Sequence, residues 1–341
     1  MELPVIWAAL IAFAVLAYVV LDGFDLGVGI LFVAEHQDED RDVMVNSVAP
    51  VWDGNETWLV LGGGGLFAVF PLAYATIMPA LYPSIIGMLL ALVFRGVAFE
   101  FRYRAATRSG RRLWDLSFVL GSTVAAFCQG LTLGGLLQGI HVVNRAYAGG
   151  WWDWLTGFSV LTGFALVAGY ALLGACWLVW KTEGALQGRA RVLARGAGLL
   201  LLLAIALVSA IMPFLQPEFR ARWFGFPTLL LAAPVPLLVA VLGWKLFDSL
   251  AEPSDTRRWW HDAVPFWCAL GLFLLSYAGL GISLWPNIVP PDIDIWEAAA
   301  PRSSQLFLLV GAAVLIPVIL GYTAYVYWLF RGKVRHGEGY H

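Results

Sequence analysis

The sequence predicts an all-α integral membrane protein of about nine transmembrane helices, with its N-terminus on the outer, periplasmic face and its C-terminus in the cytoplasm. Three observations carry this. Of 341 residues, 60% are apolar and 13% charged, with a mean hydropathy of +0.76, well outside the range of a soluble globular domain. The apolar residues fall into runs of roughly 20, the length a helix needs to cross a bilayer core of about 30 Å. Lys and Arg concentrate in alternate connections between those runs, and that bias orients the chain.

The runs lie near 5–30, 57–75, 77–101, 115–139, 157–180, 196–215, 226–247, 263–285 and 305–330. The first begins Met1-Glu2-Leu3-Pro4, without a basic leader or an Ala-x-Ala pattern before Asp22, and reads as a retained span, not a signal peptide. The second and third follow each other across Pro71 and Pro79, which predicts a helical hairpin with a very short turn. One set of connections carries Arg41, then Arg102, Arg104, Arg108, Arg111 and Arg112, then Lys181, Arg189, Arg191 and Arg195, then Lys245, Arg257 and Arg258, and finally Arg331, Lys333 and Arg335. The opposite set holds only Arg145, Arg220, Arg222 and Arg302, while Arg95 falls within a run. Nine spans keep the basic set on one side, which is then cytoplasmic. The other side is rich in aromatics and proline, as in Trp151-Trp152-Asp153-Trp154 and Trp285-Pro286-Asn287, in keeping with an interfacial belt. Residues 1–341 read as a single polytopic membrane domain with no soluble domain. A net charge of −2 without a basic stripe excludes nucleic acid as a partner.

Asp22 and Asp25 lie three apart, on one helix face, late in the first run. Ionisable groups within a span are costly and mark relays or pathways; at a helix end they also serve as solvated or paired anchors. Asp53 and Glu56 open the second run from the same side, and their spacing fits a capping box. Because the first two spans are antiparallel neighbours, both acidic pairs are expected to converge at the cytoplasmic boundary, where such a group can take up protons and pass them inward. Arg95 stands about two turns inside the third span, with Glu100 beyond it. It either snorkels to the interface or pairs with these acids. Gly62-Gly63-Gly64-Gly65 reads as a place of close helix packing.

None of His36, His141, His261, His336 and His341 falls in the middle of a run, and Cys128, Cys176 and Cys268 are dispersed among apolar residues. A bundle-held haem wants a ligand aimed at its iron, so the chain is expected to bind no haem and no metal.

Several motifs, in order along almost the whole chain, resemble subunit II of the cytochrome bd ubiquinol oxidase family. They are Leu21-Asp-Gly-Phe-Asp-Leu-Gly-Val-Gly29, Asn46-Ser-Val-Ala-Pro-Val-Trp-Asp-Gly-Asn55, Phe94-Arg-Gly-Val-Ala-Phe-Glu-Phe-Arg102, Leu136-Leu-Gln-Gly139, Trp296 with Ser303-Ser-Gln-Leu306, and Gly321-Tyr-Thr-Ala-Tyr-Val-Tyr-Trp328. The resemblance implies a bacterial inner-membrane terminal oxidase of the respiratory chain, electrogenic, in which a partner, subunit I, carries two b-type haems and one d-type haem. That partner oxidises quinol at its outer face and reduces O2 to water with cytoplasmic protons. It further implies that subunit II binds no haem and has no complete active site. Asp53 then corresponds to a carboxylate on the proton route, and Asp25 to an acid near its entrance. Asp22 and Glu56 are weaker correspondences, since some relatives carry an uncharged residue in place of Glu56. Some relatives hold a structural quinone, for which no motif assigns contacts here, and small single-span accessory subunits attach to some complexes. The competing class is a proton-coupled secondary transporter, because a glycine-interrupted helix bearing acids resembles a broken transporter helix. Against it, the acids lie near one face and no second half repeats the interruption.

Overall fold

A computed structural model describes residues 2–251, 260–335 and 337. Arg257 and Arg258 of the basic connections, and His336 and His341, lie outside them. The chain is helical almost throughout. Among the described residues, eight helices are long and apolar enough to cross a membrane, as a sequence of apolar runs separated by charged or proline-rich connections requires.

Helix α1 (Leu3–Leu31) is the axis around which the site is built. Its first half exposes part of its surface, whereas every residue from Asp22 through Gly29 is buried. Glycine allows this enclosure. A Cβ on Gly27 would collide with the carbonyl oxygen of Tyr170, and one on Gly174 would meet the backbone of Gly27, so α1 and α6 (Gly157–Lys181) touch backbone to backbone. A short helix α2 (Asp38–Val48) follows. It is too brief for a span, carries Asp38, Glu39 and Asp40 in its first turn, and buries Val43, Met44, Val45 and Val48; acids at that end complement the helix dipole.

The expected spans 57–75 and 77–101 are displaced. Helix α3 runs Trp52–Val69 and α4 runs Pro71–Arg104, so the turn is the single residue Phe70, with Pro71 starting the next helix where its missing N–H is harmless. Pro79, expected at the turn, lies inside α4 with Pro83. Trp52 stacks on Phe99 at 4.8 Å, which confirms an antiparallel hairpin. Of the nine expected spans, α3 is the one that falls outside the eight, because its first turns, Trp52-Asp53-Gly54-Asn55-Glu56-Thr57, are polar. In the glycine run, Gly62 and Gly65 lie against Val15 and Ile11 of α1, whereas Gly63 and Gly64 have nothing within 4 Å. Residues three apart share a helix face, so only half of the run serves close packing.

Helix α5 (Arg108–Gln138) starts at Thr107, whose side chain accepts from the Gly110 amide at 3.1 Å. A two-residue hairpin, β1 (Val142–Val143) with β2 (Ala146–Tyr147), turns through Asn144 and Arg145 at positive φ. Thr156 and Ser159 then form a capping box at the head of α6. Helix α7 (Gly184–Leu215) begins a dozen residues before the expected 196, since its arginine-bearing turns find acidic partners. After α8 (Pro217–Phe224) and the single turn α9 (Leu229–Ala232), helix α10 (Pro234–Ala251) starts later than the expected 226, after Pro227 and at Pro234. Helix α11 (Val264–Leu284), the hairpin β3 (Asn287–Val289) with β4 (Ile293–Asp294), and α12 (Arg302–Leu329) complete the chain. Among its described residues α12 buries only Gln305.

Candidate functional site

The buried half of α1 presents Asp22 and Asp25 to the hairpin of α3 and α4. Arg95, late in α4, meets them from the other side: its Nη1 donates to Asp22 Oδ1 at 2.7 Å, and its Nη2 stands 4.0 Å from Asp25 Oδ2. All three residues have no exposed surface. Arg95 therefore does not snorkel. Close packing around α1 leaves its guanidinium no path to the interface, and the buried acids supply its counter-charge. Trp52 and Phe99 flank the guanidinium, their ring centres 5.9 and 5.7 Å from its carbon.

Glu56 joins from α3, with Oε2 3.6 Å from Arg95 Nη1 and its side chain 28% exposed, so it lies between the buried pair and the surface. Asp53 does not join. Its side chain is exposed, one turn before Glu56, and it forms no ion pair among the described residues. Neither acid caps the helix, because α3 starts earlier than their spacing implied, with Val51 at the cap position. Glu100 pairs instead with Arg104 at 3.5 Å on the surface.

Residues without a charge complete the cluster. Asn55 Nδ2 donates to Asp25 Oδ2 at 2.7 Å and to the Leu21 carbonyl at 3.3 Å, while the Tyr327 hydroxyl of α12 donates to Asn55 Oδ1 at 2.9 Å. One turn before Asp22, Tyr18 accepts from Gln129 Nε2 at 2.7 Å, and Gln129 Oε1 accepts from Tyr170 at 2.6 Å. Tyr18, Gln129 and Tyr170 thus form a polar row across α1, α5 and α6, one turn from Asp22. Asn55 sits beside the acids in sequence, and Gln129 is a polar residue in an apolar run; both were detectable there. Tyr327 carries no such signal. Asp22 Oδ2, Asp25 Oδ1 and Arg95 Nε are buried and accept or donate no hydrogen bond among the described residues.

A second ionic region lies at the same end of the bundle, where the basic connections gather. Arg102 reaches Asp115 and Asp42, each at 2.6 Å, Arg41 closes on Asp115 at 3.0 Å, and Arg111 also binds Asp42. Arg189 of α7 joins Glu35 at 2.8 Å and Asp40 at 2.5 Å. Burial pushes the Glu35 carboxyl up, but the amides of Gln37 and His36 and the Arg189 guanidinium outweigh it and hold the group below the ordinary carboxylate range. Nearby, Asp262 holds Arg191 and Lys333.

His36, His141 and His261 are exposed, and the three cysteines are buried and unpaired. Among the described residues no group of three or more His, Cys, Asp or Glu side chains is arranged to hold a metal.

A family model described as cytochrome bd terminal oxidase subunit II matches residues 3–330. The chain is 32% identical to cytochrome bd-I ubiquinol oxidase subunit 2 of Escherichia coli strain K12, an alignment covering 96% of this chain and 94% of that one. It is 28% identical to cytochrome bd ubiquinol oxidase subunit 2 of Bacillus subtilis strain 168, over 98% and 97% of the two chains. Among solved structures, the bd oxidase from Geobacillus thermodenitrificans superposes with a TM-score of 0.76 at 18% identity, over 97% of this chain and 99% of that one, and so shares the fold.

Proposed function

The chain belongs to the cytochrome bd terminal oxidase subunit II family, and from that premise we propose that it is the haem-free membrane partner that delivers cytoplasmic protons to O2 reduction in subunit I. Its relatives are subunits of a quinol oxidase, an oxidoreductase complex in a membrane. In this reading the two b-type haems, the d-type haem, quinol and O2 all belong to the partner, in keeping with the exposed positions of the described histidines His36, His141 and His261. The end of the bundle that gathers the arginines is the cytoplasmic one by the positive-inside bias. The whole chain acts as one membrane unit that also stabilises subunit I.

The observation that supports proton delivery is the charge ratio around Arg95. Three carboxylates, Asp22, Asp25 and Glu56, stand within 4.0 Å of one guanidinium. A buried excess of negative charge is costly, and taking up a proton relieves it. Glu56 is the part-exposed member through which a proton enters, and Asp53, on the surface one turn earlier, collects it. Asp25 and Asp22 carry it inward, as relays built from intramembrane carboxylates do.

The test is made on the purified two-subunit complex, reading quinol-driven O2 consumption beside haem b and haem d absorption. Asp25→Asn lowers turnover about tenfold or more, the scale of a lost proton-transfer group, with haem content retained. Asp53→Asn lowers it less, because surface water competes for the collecting role. Haem loss in Asp25→Asn would make the residue structural, and full turnover in both variants would leave this chain a scaffold.

A further inference from the structure

We propose that Tyr327 is a positioning residue for Asp25, acting through the side-chain amide of Asn55 to keep the carboxylate from closing onto Arg95. The proposal rests on the proton-delivery reading above and concerns how that site is held.

The two buried aspartates are treated unequally. Asp22 bonds Arg95 at 2.7 Å, while Asp25, equally buried, stops at 4.0 Å from the same guanidinium. A free carboxylate beside a buried guanidinium closes to about 2.7–2.9 Å. What holds Asp25 back is Asn55 Nδ2, at 2.7 Å from the very oxygen that faces Arg95.

The orientation of that amide follows from its neighbours. Nδ2 faces Asp25 Oδ2 and the Leu21 carbonyl, and an ionised carboxylate and a carbonyl only accept. Oδ1 therefore points to α12, and Tyr327, which elsewhere could donate or accept, must donate to it at 2.9 Å. The hydroxyl completes the amide's bonding and resists its rotation. The Tyr327 ring packs independently of this, with Phe24 and Trp177 each 6.4 Å away, edge to face, so removing the oxygen leaves the ring seated. Asp25 Oδ1 is left without a partner among the described residues and is the atom at which a proton is held.

The charged and titratable groups that act on Asp25 come from four helices: Asp22 on α1, Glu56 on α3, Arg95 on α4 and Tyr327 on α12, while Tyr18 on α1 and Tyr170 on α6 act on Asp22. From α5, Gln129 bonds Tyr18 and Ser122 packs against Gly29, and both are neutral. Arg95 is the one cation in this set. Closing onto Arg95 exchanges the neutral Asn55 amide donor for an ion pair; the full positive charge favours the charged carboxylate more than the amide does, and Asp25 then holds a proton more weakly.

The test uses the purified complex with Tyr327→Phe, Asn55→Leu and both together, measuring kcat against pH, the quinol KM and haem content. Tyr327→Phe is expected to leave haem content and KM unchanged and to lower kcat about three- to tenfold, the range for one hydrogen bond. The pH at which kcat falls on the alkaline side moves down. Asn55→Leu shifts the profile the same way, and the double variant goes no further than Asn55→Leu, as two residues in one relay require. An unshifted pH profile in Tyr327→Phe, multiplying effects in the double variant, or haem loss in Tyr327→Phe would each overturn the proposal. Asp25→Asn separates the two levels: full turnover there defeats proton delivery itself, whereas slow turnover there with a wild-type Tyr327→Phe defeats only the positioning role.

Discussion

The two ionic regions of this bundle are built from the same side chains in opposite ratio. Around Arg95, three acids share one base. Around Asp42 and Asp115, three bases, Arg41, Arg102 and Arg111, share two acids. Asp42 and Asp115 are each bound by two guanidiniums, and these residues tie α2, α4 and α5 together. Around Arg95, Asp22 and Asp25 each keep a buried oxygen without a hydrogen bond among the described residues. A cluster whose acids are all neutralised holds helices in place; one with surplus acid has reason to exchange protons. Position alone does not separate them, since both lie toward the same end of the bundle.

The largest expected effect comes from removing the one base of the inner cluster. Arg95→Leu leaves Asp22 and Asp25 buried without counter-charge, a loss of about 3–5 kcal/mol for a broken buried pair, and the complex should assemble poorly, read as haem content and thermal stability. Adding Asp22→Asn to Arg95→Leu should recover part of that stability, because one of the two carboxylates left buried no longer carries an uncompensated charge. Next in size, Asp115→Asn removes the charge shared by Arg41 and Arg102 and costs about 1–3 kcal/mol of stability, while turnover per haem stays at the wild-type level. A fall in turnover per haem like that of Asp25→Asn would erase the distinction between the two regions. The smallest effect concerns Glu35. Its folded-state carboxyl lies below the ordinary range, so its contribution is present near neutrality and is lost as pH falls through that depressed value. Glu35→Gln should lower the melting temperature at pH 7 by the equivalent of about 1 kcal/mol. The gap from the parent should narrow below the ordinary carboxylate value of about 4.3.

Part of the site was legible in the sequence because charge within an apolar run is conspicuous. Asp22, Asp25 and Arg95 stand out wherever hydropathy is plotted, and their mutual attraction is a reasonable expectation once the spans are drawn. The place of Asp53 was not legible. It shares a helix turn with Asn55 and Glu56, and only the rotation of α3 about its axis sends Asn55 inward, leaves Glu56 at the edge and turns Asp53 out. The capping-box spacing misled for the same reason, since a helix that starts at Trp52 makes both acids ordinary helical positions. The boundary between α3 and α4 shows a further limit: Pro71 and Pro79 are equally strong breakers on paper, but the first falls at a helix start, where it is harmless, and the second is absorbed within the long α4.

The sequence by itself determined that the chain crosses a membrane many times, which connections are basic, and that its acids lie near one end of the spans. These follow from hydrophobic length and charge, properties that each segment carries alone. Only the tertiary structure decided which acid meets Arg95, that Asn55 bonds the Asp25 oxygen facing the guanidinium, and that a tyrosine from the last helix reaches α1 and α3. Those outcomes depend on the rotation and close approach of helices far apart in the chain, made possible by contacts such as Gly27 against Tyr170, and no local property encodes them.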